Sequence, residues 1–474
     1  MDYSGIRRIH LIGVGGTGMG SFAGLLKARG YAVTGSDENV YPPMSTELER
    51  LGIPVMTPYA ARNIERARPD LVVVGNVVRS VNPEATTVRE RGLKQVSFPA
   101  ALGDLFIAPR HGVVVVGTHG KTTTTALVSA LLYRAGRDPS FLVGGVSRDF
   151  DGNFRIGEGP HFVVEGDEYD TAYFDKGPKF LHYHPRTAIF TSCELDHADI
   201  YRDEAHYESA FERFAAILPG DGFLAACASY PSVKRIAALA RCAVETYAVG
   251  EAADWEARGL ELGPEGARFD LVHGGRTLVR AHLPMGGSHN VENALGAAAA
   301  ATHLGLSVEE IASGLASFRG VKRRQEVRGT AGGVTVVDDF AHHPTAVRKT
   351  LEAVRGSYPS SRLIACFEPR SNTSRRNLHQ AEYATAFPEV AGVFVLRPLP
   401  TDRVPVEERL DVERLAREIT SRGTPARACA TVDEMVGSVV GEARRGDVVV
   451  AMSNGAFGGI HDRLLAALEA KANR

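Results

Sequence analysis

Two glycines, a lysine and a run of threonines crowd into the segment Val113–Thr125, VVVVGTHGKTTTT. Four valines end at Gly117, and Gly117-Thr118-His119-Gly120-Lys121-Thr122-Thr123 leads into the apolar run Ala126–Leu132. A buried strand, a tight turn and a helix start in that order aim backbone N–H groups and the positive helix end at an anion. Lys121 adds a full cation, and the Thr122 hydroxyl suits Mg²⁺. The chemistry implied is binding of a nucleoside triphosphate. Only Thr118 and His119 separate Gly117 from Gly120, whereas the usual phosphate loop has four residues there. The short form is a narrower signal; the bland alternative is a chance glycine turn before a helix.

A second glycine motif, Gly13-Val14-Gly15-Gly16-Thr17-Gly18, also follows an apolar run, and Asp37 lies 19 residues beyond Gly18. Position and spacing match the dinucleotide fingerprint. Physically the motif asks for a diphosphate at a helix N-terminus and a nucleoside near a carboxylate. NAD and a UDP-linked substrate satisfy it equally, and a purely structural glycine turn remains open.

Acidic residues follow two further strand-like runs. Glu165-Gly166-Asp167-Glu168 comes after His161–Val164, and Asp196-His197-Ala198-Asp199 after Ala188–Ser192. Strand C-termini of a parallel sheet share one edge, where ligands bind. That edge should carry Lys121, Thr122, Glu165 and His197 together. Thr122 and Glu165 offer the hard oxygens that Mg²⁺ prefers; His197 is a less usual ligand that a second ion could use. Loop solvation or helix capping is the plain alternative for Glu165 and Asp196.

The elements that must hold these residues alternate strand and helix almost throughout, which predicts α/β architecture with parallel sheets. One unit starts at strand Arg8–Ile12, with a helix near Met19–Arg29 and strands near Ala32–Gly35 and Leu71–Val74. A second restarts near Ile107–His111 and runs to the alanine-rich helix Ala294–Leu304. A third follows Phe318-Arg319-Gly320, with strands Val334–Val337, Leu363–Phe367, Val393–Leu396 and Val448–Ala451. The boundaries expected are 1–109, 110–320 and 321–474. A length of 474 residues suits about three domains. At 44% hydrophobic, 23% charged and a net charge of −2, the chain shows no basic surface for nucleic acid or anionic membrane. The start lacks a signal-peptide pattern, and no apolar run approaches the about 18 residues of a membrane span. Five scattered cysteines without metal spacing point to a reducing cytoplasm.

Together these segments resemble the Mur ligases, ATP-dependent amide-bond formers of peptidoglycan metabolism. The resemblance rests on GVGGTG with GSD in the first unit, on GTHGKTTT, EGDE, ELDHAD and SHNVENA in the second, and on VKRRQE and DDFAHHPT in the third. It implies a Rossmann-like UDP-binding domain, a central ATPase-like domain and a Rossmann-like C-terminal domain. DDFAHHPT and GVGG resemble the branch that adds L-alanine to UDP-N-acetylmuramate. Asn39–Thr46 (NVYPPMST), Glu168–Lys176 (EYDTAYFDK), Lys179–Tyr183 (KFLHY), Phe367–Thr373 (FEPRSNT) and Met452–Gly455 (MSNG) resemble the branch that adds the tripeptide L-alanyl-γ-D-glutamyl-meso-diaminopimelate. The tripeptide branch is the expectation, with alanine addition as the alternative.

The resemblance also implies a reaction and a set of residue roles. ATP phosphorylates the lactyl carboxylate of UDP-N-acetylmuramate, and the amine attacks the acyl phosphate. By the same resemblance, Lys121 neutralises phosphate charge, Thr122 and Glu165 hold one Mg²⁺, and His197 with Glu165 forms a second metal site. Asn290 and Asn293, beside His289, contact adenine, and Asp339 the ATP ribose. Arg324 reaches the γ-phosphate. Gly15, Gly16, Thr17 and Gly18 cradle the UDP diphosphate, and Asp37 meets uridine. Arg370, Asn372, Ser453 and Asn454 are the candidates for the tripeptide, Arg370 as a bidentate partner for a carboxylate. His342 and His343 are either substrate contacts or core histidines.

The chain departs from the family pattern in three places. Phe211 stands where several members carry a carbamoylated lysine that helps bind the second metal. Gly166 replaces a usual alanine, and Met285-Gly286-Gly287-Ser288 replaces a Pro-Gly lead into the His-Asn pair; both changes are expected to relax the backbone. Two readings from other classes remain: an NAD-dependent oxidoreductase, from GVGGTG and Asp37, and a non-catalytic nucleotide switch. A second phosphate loop with its acidic edge has no use in the first, and the intact Lys121, Glu165, His197 and Arg324 argue against the second.

Overall fold

The computed structural model describes residues 1–42, 44–399 and 404–473. Pro43, within NVYPPMST, lies outside them. Among the described residues, apolar runs bounded by glycine or polar turns become three large sheets in sequence order, beside a small two-stranded ribbon of Asp170–Ala172 and Asp175–Pro178. The first is wholly parallel, with Arg8–Ile12 at its centre between Ala32–Ser36 and Leu71–Val74. Every residue of that strand after Arg8 is buried, as expected of a strand covered on both faces. Helix Thr17–Ala28 begins directly after the glycine loop, and no side chain caps it at Gly16.

The middle sheet has ten strands. Its centre is parallel: Phe223–Cys227, Pro185–Phe190, His111–Val116, His161–Gly166 and Ser140–Ser147 lie side by side. Antiparallel strands extend this parallel centre at both ends. Trp255–Gly263, Gly266–His273 and Arg276–Leu283 form an antiparallel meander, and Gly152–Arg155 pairs antiparallel with Ser140–Ser147. The meander needs no crossover, because Pro264-Glu265 and Gly274-Gly275 close its strands as two-residue hairpins. The third sheet has six strands, with Glu326–Ala331 antiparallel at one edge and the rest parallel.

Two helices cover one face of the middle sheet. Lys121–Arg134 follows the phosphate loop, and the alanine-rich Ser288–His303 packs against it. Small side chains permit that close approach, so the alanine run is buried core. On the other face Phe180, Phe190, Tyr207, Phe211 and Phe214 form an aromatic cluster. The same apolar core continues through Phe106 and Ile107 into Phe22 and Leu25 of the first unit. The third unit keeps two separate cores, one on each face of its own sheet. Among the described residues no helix is long and apolar enough to cross a membrane.

Two departures acquire physical reasons here. Gly166 does not loosen its strand: a Cβ there would lie 2.7 Å from Val116 Cγ1 and 2.9 Å from Val114 Cγ1. Glycine is required by the close packing beneath the acidic edge. Phe211 is fully buried and stacks on Phe190 with centroids 4.9 Å apart and planes 15° from parallel. A charged side chain would be costly in that cluster. Phe211→Ala should lower unfolding free energy by about 3–5 kcal/mol, read from the urea midpoint; a change under about 1 kcal/mol would show that the cluster does not hold this face.

Candidate active site at the meeting of three units

The phosphate loop is shaped by what packs behind it. Gly120 has φ +81°, and a Cβ there would approach Asn293 Oδ1 to 2.4 Å. Glycine therefore satisfies both a left-handed backbone and a neighbouring amide. The His119 N–H donates to Ser192 Oγ at 2.7 Å, and Thr118 Oγ1 donates to the Glu194 carbonyl at 2.9 Å. Gly117 sits behind the loop, while Thr118, His119, Gly120, Lys121, Thr122 and Thr123 face a cavity of about 980 Å³.

Lys121 is buried, and its ammonium donates to the Gly117 carbonyl, to the Thr118 carbonyl at 3.3 Å and to Glu168 Oε2 at 2.9 Å. In the sequence Glu168 stands out only as the end of EGDE; in the fold it is the hub. Its other oxygen lies 3.4 Å from His197 Nε2 and accepts from Tyr207 Oη at 3.1 Å. Burial alone would raise the Glu168 carboxyl, but Lys121 and His197 hold it down at about 2. Burial alone would likewise depress the His197 imidazolium; Asp196 and Glu168 outweigh it and lift the group to about 9. The expected edge thus exists, with one change. His197 is brought to Glu168, not to Glu165.

Glu165 belongs to a separate corner. Its Oε1 accepts from Thr122 Oγ1 at 3.0 Å and its Oε2 from the Gly144 N–H at 2.8 Å. Burial and the neighbouring Asp167 push its carboxyl above the ordinary range, against the pull of Lys121. Two hard oxygens, crowded negative charge and an open cavity beside them fit Mg²⁺. Arg324 Nη2 donates to Thr122 Oγ1 at 3.1 Å, so the linker arginine does reach the phosphate-loop helix. Its guanidinium lies 4.8 Å from the Phe340 ring centroid.

The remaining expected residues divide by position. Asn290, Asn293, His289 and Asp339 all line the cavity. Asn290 is not the helix cap, which is Gly287. Its Nδ2 donates back to the Gly286 carbonyl at 2.7 Å, and Asn293 Nδ2 lies 3.4 Å from its Oδ1. Asp339 accepts from the N–H groups of Gln325 at 2.9 Å and Ala341 at 2.8 Å, and from Thr350 Oγ1 at 3.1 Å. His342 lines the cavity, 3.5 Å from Asp196 Oδ2. His343 is instead buried as the cap of helix Pro344–Ser357.

Thr17 and Gly18 reach the same cavity, whereas Gly15, Gly16 and Asp37 lie off it. Asp37 does a further job that the sequence did not reveal. Its Oδ2 accepts from the Gly15 N–H at 2.8 Å and its Oδ1 from Tyr59 Oη at 3.2 Å, which fixes the glycine loop. Of the four tripeptide candidates only Asn454 lines the cavity. Its Oδ1 is buried with no hydrogen-bond partner. Ser453 donates to Glu368, and Asn372 Nδ2 donates to Asp199 Oδ2 at 2.8 Å, so both serve the framework. Arg370 is half exposed, 3.8 Å from Glu368.

Sequence reasoning missed three cavity residues besides Glu168. Lys179 Nζ pairs with Asp167 Oδ2 at 3.0 Å and lies 4.0 Å from the Tyr169 ring centroid and 5.7 Å from that of Phe98. Phe98 would also touch a Cβ on Gly18, so Lys179 stands at the seam between the two glycine loops. Arg323 Nη2 donates at 2.6 Å to the carbonyls of both Ser453 and Gly455. Lys349 binds Tyr230 Oη at 3.1 Å and Glu292 Oε2 at 3.3 Å. Lys179 and Arg323 fall within the quoted segments KFLHY and VKRRQE, yet only the fold places their side chains.

The His197–Glu168 contact has a pH signature. A folded pKa of about 9 lies above the unfolded value of about 6.5. The ion pair's contribution is therefore fully present below about 6.5 and lost as pH rises through the folded value. Glu168→Gln should move the His197 proton NMR titration of the ligand-free protein well below that of the parent. An unshifted titration would contradict the pairing.

Three family domains match the chain: the Mur ligase family catalytic domain over residues 8–109, the Mur ligase middle domain over 115–301, and the Mur ligase glutamate ligase domain over 323–455. The UDP-N-acetylmuramate–L-alanyl-γ-D-glutamyl-meso-2,6-diaminoheptandioate ligase of Escherichia coli K12 is 40% identical over 466 residues, covering 98% of this chain and 99% of that protein. The UDP-N-acetylmuramate–L-alanine ligase of Chlorobium phaeobacteroides is 36% identical over 420 residues, covering 87% and 88%. The crystal structure of a murein peptide ligase from Psychrobacter arcticus superposes with a TM-score of 0.73 at 34% identity, over 98% of this chain and 99% of that one. With matches to all three of its domains and relatives spanning nearly the full length, the chain belongs to the Mur ligase family.

Proposed function

We propose that this protein joins the tripeptide L-alanyl-γ-D-glutamyl-meso-diaminopimelate to the lactyl carboxylate of UDP-N-acetylmuramate, using ATP and Mg²⁺, in the cytoplasm. The observation that carries the proposal is one cavity lined at once by Thr17 and Gly18, by the loop Thr118–Thr123, and by Asn454 of the third unit. A site built that way can hold a diphosphate-linked sugar, a triphosphate and an amine together. The units assigned are 1–109 for the UDP-substrate, 110–320 for ATP and 321–474 for the amine. The tripeptide assignment is supported by the higher identity and fuller coverage of the tripeptide-ligase relative.

The chemistry is phosphoryl transfer followed by acyl transfer. A carboxylate oxygen attacks the γ-phosphorus and ADP leaves; the amine nitrogen then attacks the acyl carbon, and phosphate leaves with that oxygen. The first step is governed by positioning and charge neutralisation. Lys121 and Arg324 lie where phosphate charge must be met, and Gly117–Thr123 supply N–H donors. Thr122 and Glu165 would hold Mg²⁺, which when bound neutralises phosphate charge; His197, an imidazolium paired with Glu168, would give up its proton to hold a second ion. Asn290 and Asn293 are assigned to adenine and Asp339 to the ribose. Thr17 and Gly18 face the diphosphate, Gly15 and Gly16 shape the loop behind them with the Gly15 N–H held by Asp37, and Asp37 is assigned to the uridine end. Lys179, between the glycine loops, meets the carboxylate end of the UDP-sugar. Asn454 Oδ1 can accept from the incoming amine, and Arg370, at the rim, can pair with a peptide carboxylate.

The test is phosphate release with ATP, Mg²⁺ and UDP-N-acetylmuramate, comparing free L-alanine with the tripeptide. The tripeptide should give the larger kcat/KM, by at least about tenfold or about 1.4 kcal/mol. Equal or faster turnover with alanine would transfer the protein to the alanine-adding branch.

A further inference from the structure

A cluster of metal-ligating side chains outside the catalytic edge is left unused by the proposed chemistry. His119 of the phosphate loop, Glu194 of the ELDHAD segment and His343 of the third unit each bring one ligand atom within 4.8 Å of the other two. His119 Nε2 lies 2.9 Å from Glu194 Oε2. Thr345 Oγ1 donates to the other Glu194 oxygen at 2.9 Å, which fixes the carboxylate from the third unit. The His343 ring packs between His119 and His379, with centroids 4.7 Å from each. His343 is 6% exposed, and its Nε2 is buried with no hydrogen-bond partner.

We propose that His119, Glu194 and His343 form a binding site for a borderline transition-metal cation such as Zn²⁺, clasping the phosphate loop to the third unit. Two imidazoles and one carboxylate are a donor set that Zn²⁺ takes with a fourth, open position. Mg²⁺ prefers oxygen and is disfavoured here. Two of the three groups are in the ligating form. Burial and the neighbouring His119 push the His343 imidazolium down to about 3, so the ring is neutral, as a ligand must be. Burial would raise the Glu194 carboxyl, but His119 holds it at about 2, so the carboxylate is ionised.

Binding needs small changes. Metal bonds of about 2.0–2.2 Å bring ligand atoms about 3.3 Å apart, so the 4.8 Å spread must close and the His119–Glu194 contact must open slightly. Both rings bind as tautomers with their proton on Nδ1. For His343 this gives up the long cap bond from the Thr345 N–H, 3.3 Å. His119 borders the cavity, which supplies an entry path. A cation held there ties His119 to a residue of another unit, so it should slow any turnover that requires the two to part.

Binding is measured on the ligand-free protein, so its outcome is separate from that of the tripeptide reading. Co²⁺ serves as the visible-absorption probe and Zn²⁺ as its competitor. One equivalent of Co²⁺ should give the intense bands of a low-coordinate site, and Zn²⁺ should displace it. His343→Asn keeps a helix-capping side chain while removing the ring, and Glu194→Gln keeps the volume. Each should weaken binding by at least about tenfold, with thermal midpoints in chelator checking the fold. Glu165→Gln should leave the bands unchanged. Zn²⁺ should inhibit phosphate release in excess Mg²⁺ and do so less in His343→Asn. Absence of a low-coordinate Co²⁺ spectrum, bands unaffected by both variants, or loss of the bands in Glu165→Gln would overturn the site.

Discussion

A lysine ammonium can stay buried at the foot of the phosphate loop only because a carboxylate lies beside it. The Lys121–Glu168 pair, 2.9 Å apart, is the contact on which the rest of the site depends. Removing one partner of a buried pair strands the other, at a cost of about 3–5 kcal/mol. Glu168 also anchors His197 and Tyr207, while Tyr207 reaches Thr118 Oγ1 at 3.0 Å. One carboxylate therefore ties the loop, the acidic edge and the aromatic cluster into a single network. The stacked Phe190 and Phe211 support Tyr207 from below, its ring centroid 5.2 Å from that of Phe211.

The three units are joined by different physics. The first and middle units share an apolar core through Phe106 and Ile107. The third unit meets the middle one through a set of polar contacts: Arg324 to Thr122, Thr345 to Glu194, Lys349 to Glu292, Asn372 to Asp199 and Thr373 to the Ala198 N–H. Parting an apolar core exposes area that water penalises, whereas polar contacts exchange for water at little net cost. Of the three units the third is therefore the one whose contacts part at least cost.

Much of this was legible in the sequence where the signal was local. Arg8–Ile12, Leu71–Val74 and Leu363–Phe367 form strands at the expected residues. GTHGKT, EGDE and ELDHAD do meet at one sheet edge, because parallel strands end together. What stayed hidden was pairwise geometry. Nothing in EGDE says that Glu168, and not Glu165, takes His197; strand twist and the following turn decide it. The antiparallel meander was visible in principle at Gly274-Gly275, whose hairpin signal the α/β pattern masked. Lys179 and Arg323 lie within KFLHY and VKRRQE, but those segments do not say which basic residue turns into the cavity. Ser453 and Asn372 read as ligand contacts from loop position and from the branch-specific segments that hold them, and in the fold both make framework bonds.

Carboxylate activation by ATP inside the shared cavity is the central claim, and an oxygen label tests it most directly. UDP-N-acetylmuramate carrying ¹⁸O in both lactyl carboxylate oxygens is turned over with ATP and the tripeptide, and the released phosphate is weighed by mass spectrometry. Attack of the carboxylate on the γ-phosphorus predicts a single ¹⁸O in the phosphate and the other in the new amide. Phosphate free of label, with peptide product formed, would contradict the acyl-phosphate route and the roles assigned to Lys121, Thr122 and Glu165.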